Sequence, residues 1–393
     1  MTHDAALVFQ NETLLAQPAT HVIIVAAGRY YHGKGKGDAM TDIGGDISQL
    51  SSPPVTAKLI TDWFLTEFKN SERPLGSLSM CVSDEDPSSY TPPGTVTARD
   101  IPEADLGSVT EAVHHWSERL KTHSSNLAVF YFCGHGVSLG QQAALLLSDF
   151  GRSVNGYAPA IDLDALRGTM KNSPADQQLF LLDCCRTKVD FLYEDEPSLG
   201  TRILSIPPSA RESGGAAQQC ILFPTIDGEE AFGQIGKASV FATSFLDAVR
   251  FAAPDDETGV WKSSTPSILK AVDRLIQWRL PEELRHRSVP TSLDLSSFDF
   301  NEVDEPNVIK GFVKLSDPMT WPEATLICTE TTSAHPQVSQ VAEESNELGC
   351  CVFDLQPGQW EFSATLTNQP PFAVPDTRKL LRPVTYVELE VRE

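Results

Sequence analysis

The chain lacks the sequence features of exported, membrane-spanning and nucleic-acid-binding proteins. Its first twenty residues contain no Lys or Arg and no long apolar core, so we expect no secretory signal. No apolar run approaches the roughly 20 residues that a membrane helix requires. Basic residues are outnumbered, with 30 Lys and Arg against 53 Asp and Glu. The resulting net charge of −23 argues against nucleic acid or an anionic membrane as a partner.

Cysteine is also sparse. Eight cysteines at irregular spacing in 393 residues do not resemble a disulfide framework and favour thiols in a reducing compartment. We therefore expect a cytoplasmic protein. Because 41% of the residues are hydrophobic, the chain can bury a substantial core, and its length predicts about two domains.

The first 300 residues alternate between buried strands and amphipathic helices. Runs typical of strands occupy 21–28, 75–82, 126–136, 178–185 and 219–225, and helical spacing occupies 53–68, 108–123, 161–170, 239–253 and 267–280. This alternation predicts an α/β fold, with a mostly parallel sheet flanked by helices.

The pattern changes near residue 300. Short strand-like runs with turn signals such as QPGQ (356–359) replace the helices. We predict an N-terminal extension (1–19), an α/β domain (20–300) and a small C-terminal β-sandwich domain (306–393). The sandwich would be Ig-like or transthyretin-like.

Two motifs at predicted strand ends could carry chemistry. CGHGV contains His135 and LLDCCRT contains Cys185. A cysteine nucleophile needs a base such as imidazole to form its thiolate, and it needs N–H donors for the oxyanion. Parallel sheets place their chemistry beyond the carboxyl ends of the strands, so the two motifs are expected to converge.

His-Gly at one strand end and Asp-x-Cys-Arg about fifty residues later resemble the caspase–metacaspase family of cysteine peptidases. The resemblance extends further, because HVIIVAAG is similar to the first strand of that family. The strand, loop and helix that follow the nucleophile in that family are similar to ILFPTIDGEEAFG with KASVFATSFLDAVR. The end of its catalytic domain is similar to RSVPTSLDLSSFDF. Together these segments cover roughly residues 20–300.

The resemblance implies a cysteine endopeptidase without a cofactor. It makes His135 the general base and Cys185 the nucleophile. The N–H groups of Gly136 and Cys185 would form the oxyanion hole. It further implies regulation, with a role in stress, defence or cell death.

Asp183, two residues before Cys185, matches the acid that lines the S1 pocket of metacaspases and favours cleavage after Arg or Lys. The chain departs from the family at Thr56, where a second pocket aspartate often stands. Asp46 is the nearest substitute that the sequence offers. The expected substrate is therefore a protein or peptide with a basic residue at the cleavage position.

Strand parity separates the two adjacent cysteines. Side chains alternate faces along a strand, so Asp183 and Cys185 should point one way and Cys184 the other. A metal site built from Cys133, His135 and the two cysteines lacks the paired spacing of structural zinc, so none is expected.

The segment 187–219 is long and loop-like, and the resemblance makes it the place for autoprocessing. Lys188, Arg202 and Arg211 are the candidate cleavage sites. Some metacaspases respond to calcium through acidic clusters, which leaves calcium activation open. The candidate clusters are the triplets at 84–86, 194–196 and 255–257.

Two other interpretations remain. In the first, the chain is a catalytically inactive caspase-like scaffold that binds a regulatory protein partner through its β domain. In the second, GRYYHGKG (28–35) is a P-loop, although Gly35 stands where a P-loop has Ser or Thr.

Overall fold

The structure is a computed structural model of the 393-residue chain. It describes residues 4–36, 47–139, 142–153, 158–185, 187–188, 199–211, 217–224, 235–255, 257–280, 290–304, 308–317, 323–332, 338–341, 350–366, 372–380 and 384–391. The chain divides into two compact units, Met1–Ala248 with Ser264–Asn301, and Val249–Ser263 with Glu302–Glu393.

A seven-stranded sheet forms the centre of the first unit. The strands of this unit are β1 (Leu7–Gln10), β2 (Thr20–Ala27), β3 (Leu75–Ser83), β4 (Ser89–Tyr90), β5 (Arg99–Asp100), β6 (Leu127–Gly134), β7 (Gly136–Leu139), β8 (Gln142–Leu146), β9 (Ala160–Asp162), β10 (Gln177–Cys184), β11 (Thr187–Lys188), β12 (Gln218–Phe223) and β15 (Thr291–Leu293). The main sheet has the order β1-β3-β2-β6-β10-β12-β15. Its five central strands are parallel, and β1 and β15 pair antiparallel at the two edges.

Helices cover both faces of this sheet. They are α1 (Ser52–Thr66), α2 (Leu106–Leu120), α3 (Leu163–Met170), α4 (Val240–Ala248) and α5 (Thr265–Arg279), with 3-10 turns at Glu12–Leu14 and Pro208–Ala210. Every residue of β2 and β6 is buried, as expected for strands covered on both sides. The predicted α/β fold with a mostly parallel sheet is confirmed.

A smaller sheet extends the structure beyond the carboxyl ends of the main strands. Its order is β11-β7-β8-β9, and β11 pairs in parallel with β7. Because β7 follows β6 and β11 follows β10, the chain segments that leave the two central strands stay hydrogen-bonded to each other.

The second unit is a sandwich of short strands. Its strands are β13 (Ala253–Pro254), β14 (Trp261–Ser264), β17 (Ile309–Leu315), β18 (Ala324–Glu330), β19 (Val338–Val341), β20 (Cys351–Leu355), β21 (Gly358–Leu366), β22 (Asp376–Leu380) and β23 (Val384–Leu389), and β16 (Asp299–Val303) spans the boundary between the units. Two facing sheets, β20-β17-β23 and β19-β18-β21-β22, form the sandwich, and β13, β14 and β16 form a separate three-stranded sheet. Alternate residues such as Phe353, Phe362 and Val387 are buried, so the two sheets share a core.

The sequence located the central elements to within a few residues. The predicted strand at 178–185 is β10, and the predicted helix at 108–123 is α2. The edge strands β1 and β15 were not predicted, because each has only three or four residues and shows little alternation. β1 lies within the predicted N-terminal extension. No helix among the described residues has the length and apolar character needed to span a bilayer.

Trp116 on α2 anchors that helix to the sheet. Its side chain is fully buried, and its indole N–H donates a hydrogen bond of 2.9 Å to the carbonyl oxygen of His21 on β2. One residue therefore supplies both a large apolar contact and a polar link between helix and strand.

We expect Trp116→Ala to lower the free energy of unfolding by about 3–5 kcal/mol, because it leaves a large cavity and an unpaired carbonyl. Trp116→Phe should cost less, since the ring still fills most of the space. Chemical denaturation followed by circular dichroism would measure both. Equal losses in the two variants would contradict the packing argument.

Candidate active site

His135 is the first residue after β6, at the carboxyl end of the main sheet. Its Nε2 lies 2.9 Å from the carbonyl oxygen of Ser48 and 3.4 Å from the hydroxyl oxygen of Ser48. A carbonyl oxygen only accepts hydrogen bonds, so the neutral ring carries its proton on Nε2. This tautomer leaves Nδ1 with a lone pair that can accept a proton. Burial lowers the pKa of His135 below its ordinary value, although the bond to Ser48 opposes this effect.

Tyr30 holds the backbone and the ring of His135. Its hydroxyl oxygen accepts the His135 N–H at 2.8 Å, and the two ring centroids are 5.1 Å apart. Tyr30 is itself fully buried, and Gln49 clamps its backbone through two hydrogen bonds. The imidazole is therefore oriented from two sides, by Ser48 and by Tyr30.

Cys185 is the first residue after β10, the strand next to β6. The two strands run parallel in register, with Asp183 beside Cys133 and Cys184 beside Gly134. His135 and Cys185 therefore leave the sheet at the same level. Cys184 is buried in the core on the α2 and α3 side, whereas Cys185 is half-buried, so the two cysteines occupy different environments.

Gly136 packs directly against the second motif. A Cβ atom on Gly136 would lie 2.4 Å from the carbonyl oxygen of Cys185 and 2.9 Å from Sγ of Cys184. The first of these contacts is with backbone, which cannot move aside cheaply. Only glycine allows the two chain segments to approach this closely.

Asp183 lies in a buried polar cluster on the opposite face from Cys184. The carboxylate accepts hydrogen bonds from the hydroxyl of Tyr131 at 2.7 Å, from the hydroxyl of Ser239 and from the thiol of Cys133. The Ser239 hydroxyl also caps α4, because it accepts the N–H of Ala242 at 2.9 Å.

No basic side chain among the described residues forms an ion pair with Asp183. Burial raises the pKa of its carboxyl above the ordinary value, and the three hydrogen bonds only partly offset this effect. With only 5% of its surface exposed, Asp183 is a buried carboxyl group without a counter-ion among the described residues.

The structure describes one of the two positions considered for a second pocket acid. Asp46 lies outside the described residues. Thr56, at the family's usual aspartate position, is fully buried at the start of α1. Its hydroxyl oxygen accepts the N–H of Ser239 at 2.9 Å and interacts with the thiol of Cys133, so it joins the Asp183 cluster as a neutral member.

The three candidate cleavage sites lie in different settings. Lys188 ends the short strand β11. Arg202 is exposed beside Thr201, whose N–H bonds to the carbonyl oxygen of Ala160 at 2.7 Å. Arg211 is held in place, since its guanidinium pairs with Asp176 at 2.7 Å and donates to two backbone carbonyls. Its side chain is only 9% exposed, so it is less accessible than the exposed Arg202.

The segment 28–35, which resembles a P-loop in sequence, does not have the backbone arrangement of a phosphate-binding loop. The N–H of Lys34, which would have to face a phosphate, donates instead to the carbonyl oxygen of Ile47 at 2.7 Å. In the described part of the chain, no group of three or more His, Cys, Asp or Glu side chains could hold a metal ion.

Several residues of the site were not identified from the sequence. Ser48 and Tyr30 act through a backbone carbonyl and a phenol that carry no motif. Tyr131 and Cys133 share the Asp183 face of the sheet, which parity and the register of β6 with β10 would have revealed. The position of Ser239 just before a predicted helix is a capping signal.

Asp183→Asn should change how stability depends on pH. Because the carboxyl pKa is higher in the folded state than in the unfolded chain, protonated Asp183 stabilises the folded state fully at pH values below the unfolded-state pKa. This stabilisation is lost as the pH rises through the folded pKa. The free energy of unfolding of the variant, relative to wild type, should therefore increase as the pH rises above about 4, the ordinary carboxyl pKa. Urea titrations across this range would measure it, and a relative decrease would contradict the assignment of an uncompensated carboxylate.

Comparison with known proteins places the site in a family. The chain is 29% identical over 211 residues to the uncharacterized protein y4kE of Sinorhizobium fredii, covering 49% of this chain and 58% of that protein. It thus spans less than two thirds of that protein's length. The crystal structure of caspase-1 from Spodoptera frugiperda covers 71% of this chain and 88% of its own, at 12% identity and a TM-score of 0.40. The family model of the caspase domain matches residues 95–296, just over half of the chain and inclusive of both motifs. The chain therefore belongs to the caspase-domain family of peptidases.

Proposed function

We propose that the protein is a cysteine endopeptidase that uses His135 and Cys185 as a catalytic dyad. The observation that carries this proposal is their placement after neighbouring strands that run parallel in register, with Gly136 packed against Cys185. A lowered pKa keeps His135 neutral near pH 7, which a general base requires.

The proposed reaction proceeds through an acyl-enzyme. Nδ1 of His135 takes the thiol proton of Cys185, and the thiolate attacks the carbonyl carbon of the peptide bond. The N–H groups of Gly136 and Cys185 stabilise the oxyanion. His135 then donates its proton to the leaving amine, which departs as the carbon–nitrogen bond breaks. Water, deprotonated by His135, hydrolyses the thioester and regenerates the thiol.

Asp183 supports cleavage after Arg or Lys. Its carboxylate is buried, accepts only neutral donors and has no cationic partner among the described residues. A guanidinium or ammonium group at the cleavage position would supply the missing counter-charge. An acidic residue there would be repelled instead.

The wider context of the reaction is also a proposal. We place the enzyme in the cytoplasm, in a regulated stress, defence or cell-death response, with a protein partner bound through the C-terminal sandwich. Calcium is the one candidate activator, and no cofactor takes part in the proposed reaction. If autoprocessing occurs, Arg202 is favoured over Arg211, because the Arg211 side chain is fixed by Asp176.

A non-catalytic scaffold is the second candidate function. Chains of this family can keep the fold without the activity, and the C-terminal unit then would carry the function by binding a partner. The half-buried position of Cys185 favours the enzyme, because a vestigial thiol has no need of access to solvent.

The two adjacent cysteines provide the first test. Cys185→Ala and His135→Ala should each lower kcat/KM on peptide substrates by about a thousandfold or more. Cys184→Ala should stay within about threefold of wild type, since it changes only a small group in the core. Loss of activity in Cys184→Ala alone would mean that the nucleophile is misassigned. Absence of turnover in the wild type, with its activator present, would favour the scaffold.

A peptide library varied at the cleavage position tests specificity, with and without calcium. Arg or Lys should exceed Asp by about a hundredfold or more in kcat/KM. Asp183→Asn should lower cleavage after Arg by about tenfold to a hundredfold, because the desolvated charge pair is lost. Cleavage after Asp but not after Arg would show that Asp183 does not determine the preference.

A further inference from the structure

The first nine residues of the loop after β2 carry an excess of positive charge, and three aspartates follow them in the sequence. In a protein of net charge −23, residues 28–36 contain Arg29, His32, Lys34 and Lys36 and no acid. We refer to this segment as the basic loop. We propose that it binds acidic residues of the substrate that flank the scissile bond. This inference rests on the proposed peptidase function.

The basic loop is bonded to the segment that orients His135. Gly28 accepts the N–H of Leu50 at 2.8 Å through its carbonyl oxygen, and the N–H of Lys34 donates to Ile47 at 2.7 Å. Ile47 is adjacent to Ser48, whose carbonyl oxygen holds the imidazole of His135. Because consecutive Cα atoms are only about 3.8 Å apart, the bond from Lys34 to Ile47 also brings Lys34 close to Ser48. Lys34 therefore lies at the rim of the catalytic site.

Gly33 allows the basic loop to lie close to the 47–50 segment. A Cβ atom on Gly33 would lie 2.5 Å from the carbonyl oxygen of Ile47, so the basic loop and the 47–50 segment are in close backbone contact. Gly35 then turns the chain with φ of +80°, in the left-handed region that favours glycine. Backbone hydrogen bonds hold the lysines on either side, because the N–H of Lys36 also donates to the carbonyl oxygen of Gly33 at 3.0 Å.

The basic residues of the loop differ in what they contact. Arg29 is already occupied, because its guanidinium lies 4.6 Å from the ring centre of Tyr31 and donates to the carbonyl oxygen of Glu85. Lys34 and Lys36 are exposed, and neither forms an ion pair with any described residue. These two ammonium groups are the charges that a substrate could reach.

Local charge decides which flanking residues are accepted. Screening limits the reach of an exposed charge to roughly 8–10 Å at moderate salt, so a peptide in the cleft responds to these lysines more than to distant carboxylates. The opposite requirement holds at the cleavage position, where Asp183 favours a cation. The preferred substrate then combines one basic residue at the cleavage position with acidic residues beside it.

The test uses internally quenched peptides with Arg at the cleavage position. Each carries a single Glu or a single Gln at one of four positions on either side of the scissile bond. Values of kcat/KM are measured at low and high salt for wild type and for the double variant Lys34→Gln/Lys36→Gln. Lys121→Gln is the matched control, because Lys121 is an exposed lysine that follows α2, at the amino ends of the strands.

At one or more positions, wild type should cleave the Glu peptide about three- to tenfold faster than the Gln peptide at low salt. This ratio should fall below about twofold at high salt and in the double variant, and Lys121→Gln should keep it. Equal rates for Glu and Gln peptides in wild type would overturn the inference while leaving the peptidase intact. That result is expected if Asp38, Asp42 and Asp46, which follow in the sequence outside the described residues, neutralise the lysines. No cleavage of any peptide would overturn the peptidase proposal and this inference together.

Discussion

Parallel pairing of β6 with β10 is the constraint on which the candidate site depends. The register sets Asp183 beside Cys133 and Cys184 beside Gly134, so both strands end at one level and release His135 and Cys185 side by side. A shift of one residue would turn every side chain of β10 to the other face and place Asp183 in the apolar core. Aromatic packing on one face opposes such a shift, because the ring of Phe180 would lose its contact with Phe130, whose ring packs in turn against Trp116 of α2.

The same register buries the carboxyl group of Asp183 at an unfavourable free energy, and the proposed function assigns this group to substrate binding. It buries Asp183 among Tyr131, Cys133 and Ser239, which donate hydrogen bonds but carry no positive charge. A carboxylate in such a place destabilises the folded state and raises its own pKa. Sites that bind charged groups commonly contain a buried charge without a partner in the protein, since the ligand supplies the opposite charge.

Orientation of the imidazole depends on residues far away in sequence. Ser48 fixes the proton on Nε2, and Tyr30 fixes the backbone of His135. Both belong to the connection between β2 and α1, whose two ends are clamped by Gln49. The basic loop is part of this connection, so the groups that would orient the base and those that would select the substrate lie on segments that hydrogen-bond to each other.

Periodicity and composition in the sequence determined the α/β class, the positions of the central strands and the parity that puts Asp183 and Cys184 on opposite faces of β10. Those features are local, because the facing of a residue along a strand or helix follows from its neighbours alone. Tertiary structure alone decided the short edge strands, the Ser48 and Tyr30 contacts and the neutral cluster around Asp183. These depend on strand register and loop closure between residues up to about a hundred positions apart, for which no local pattern exists.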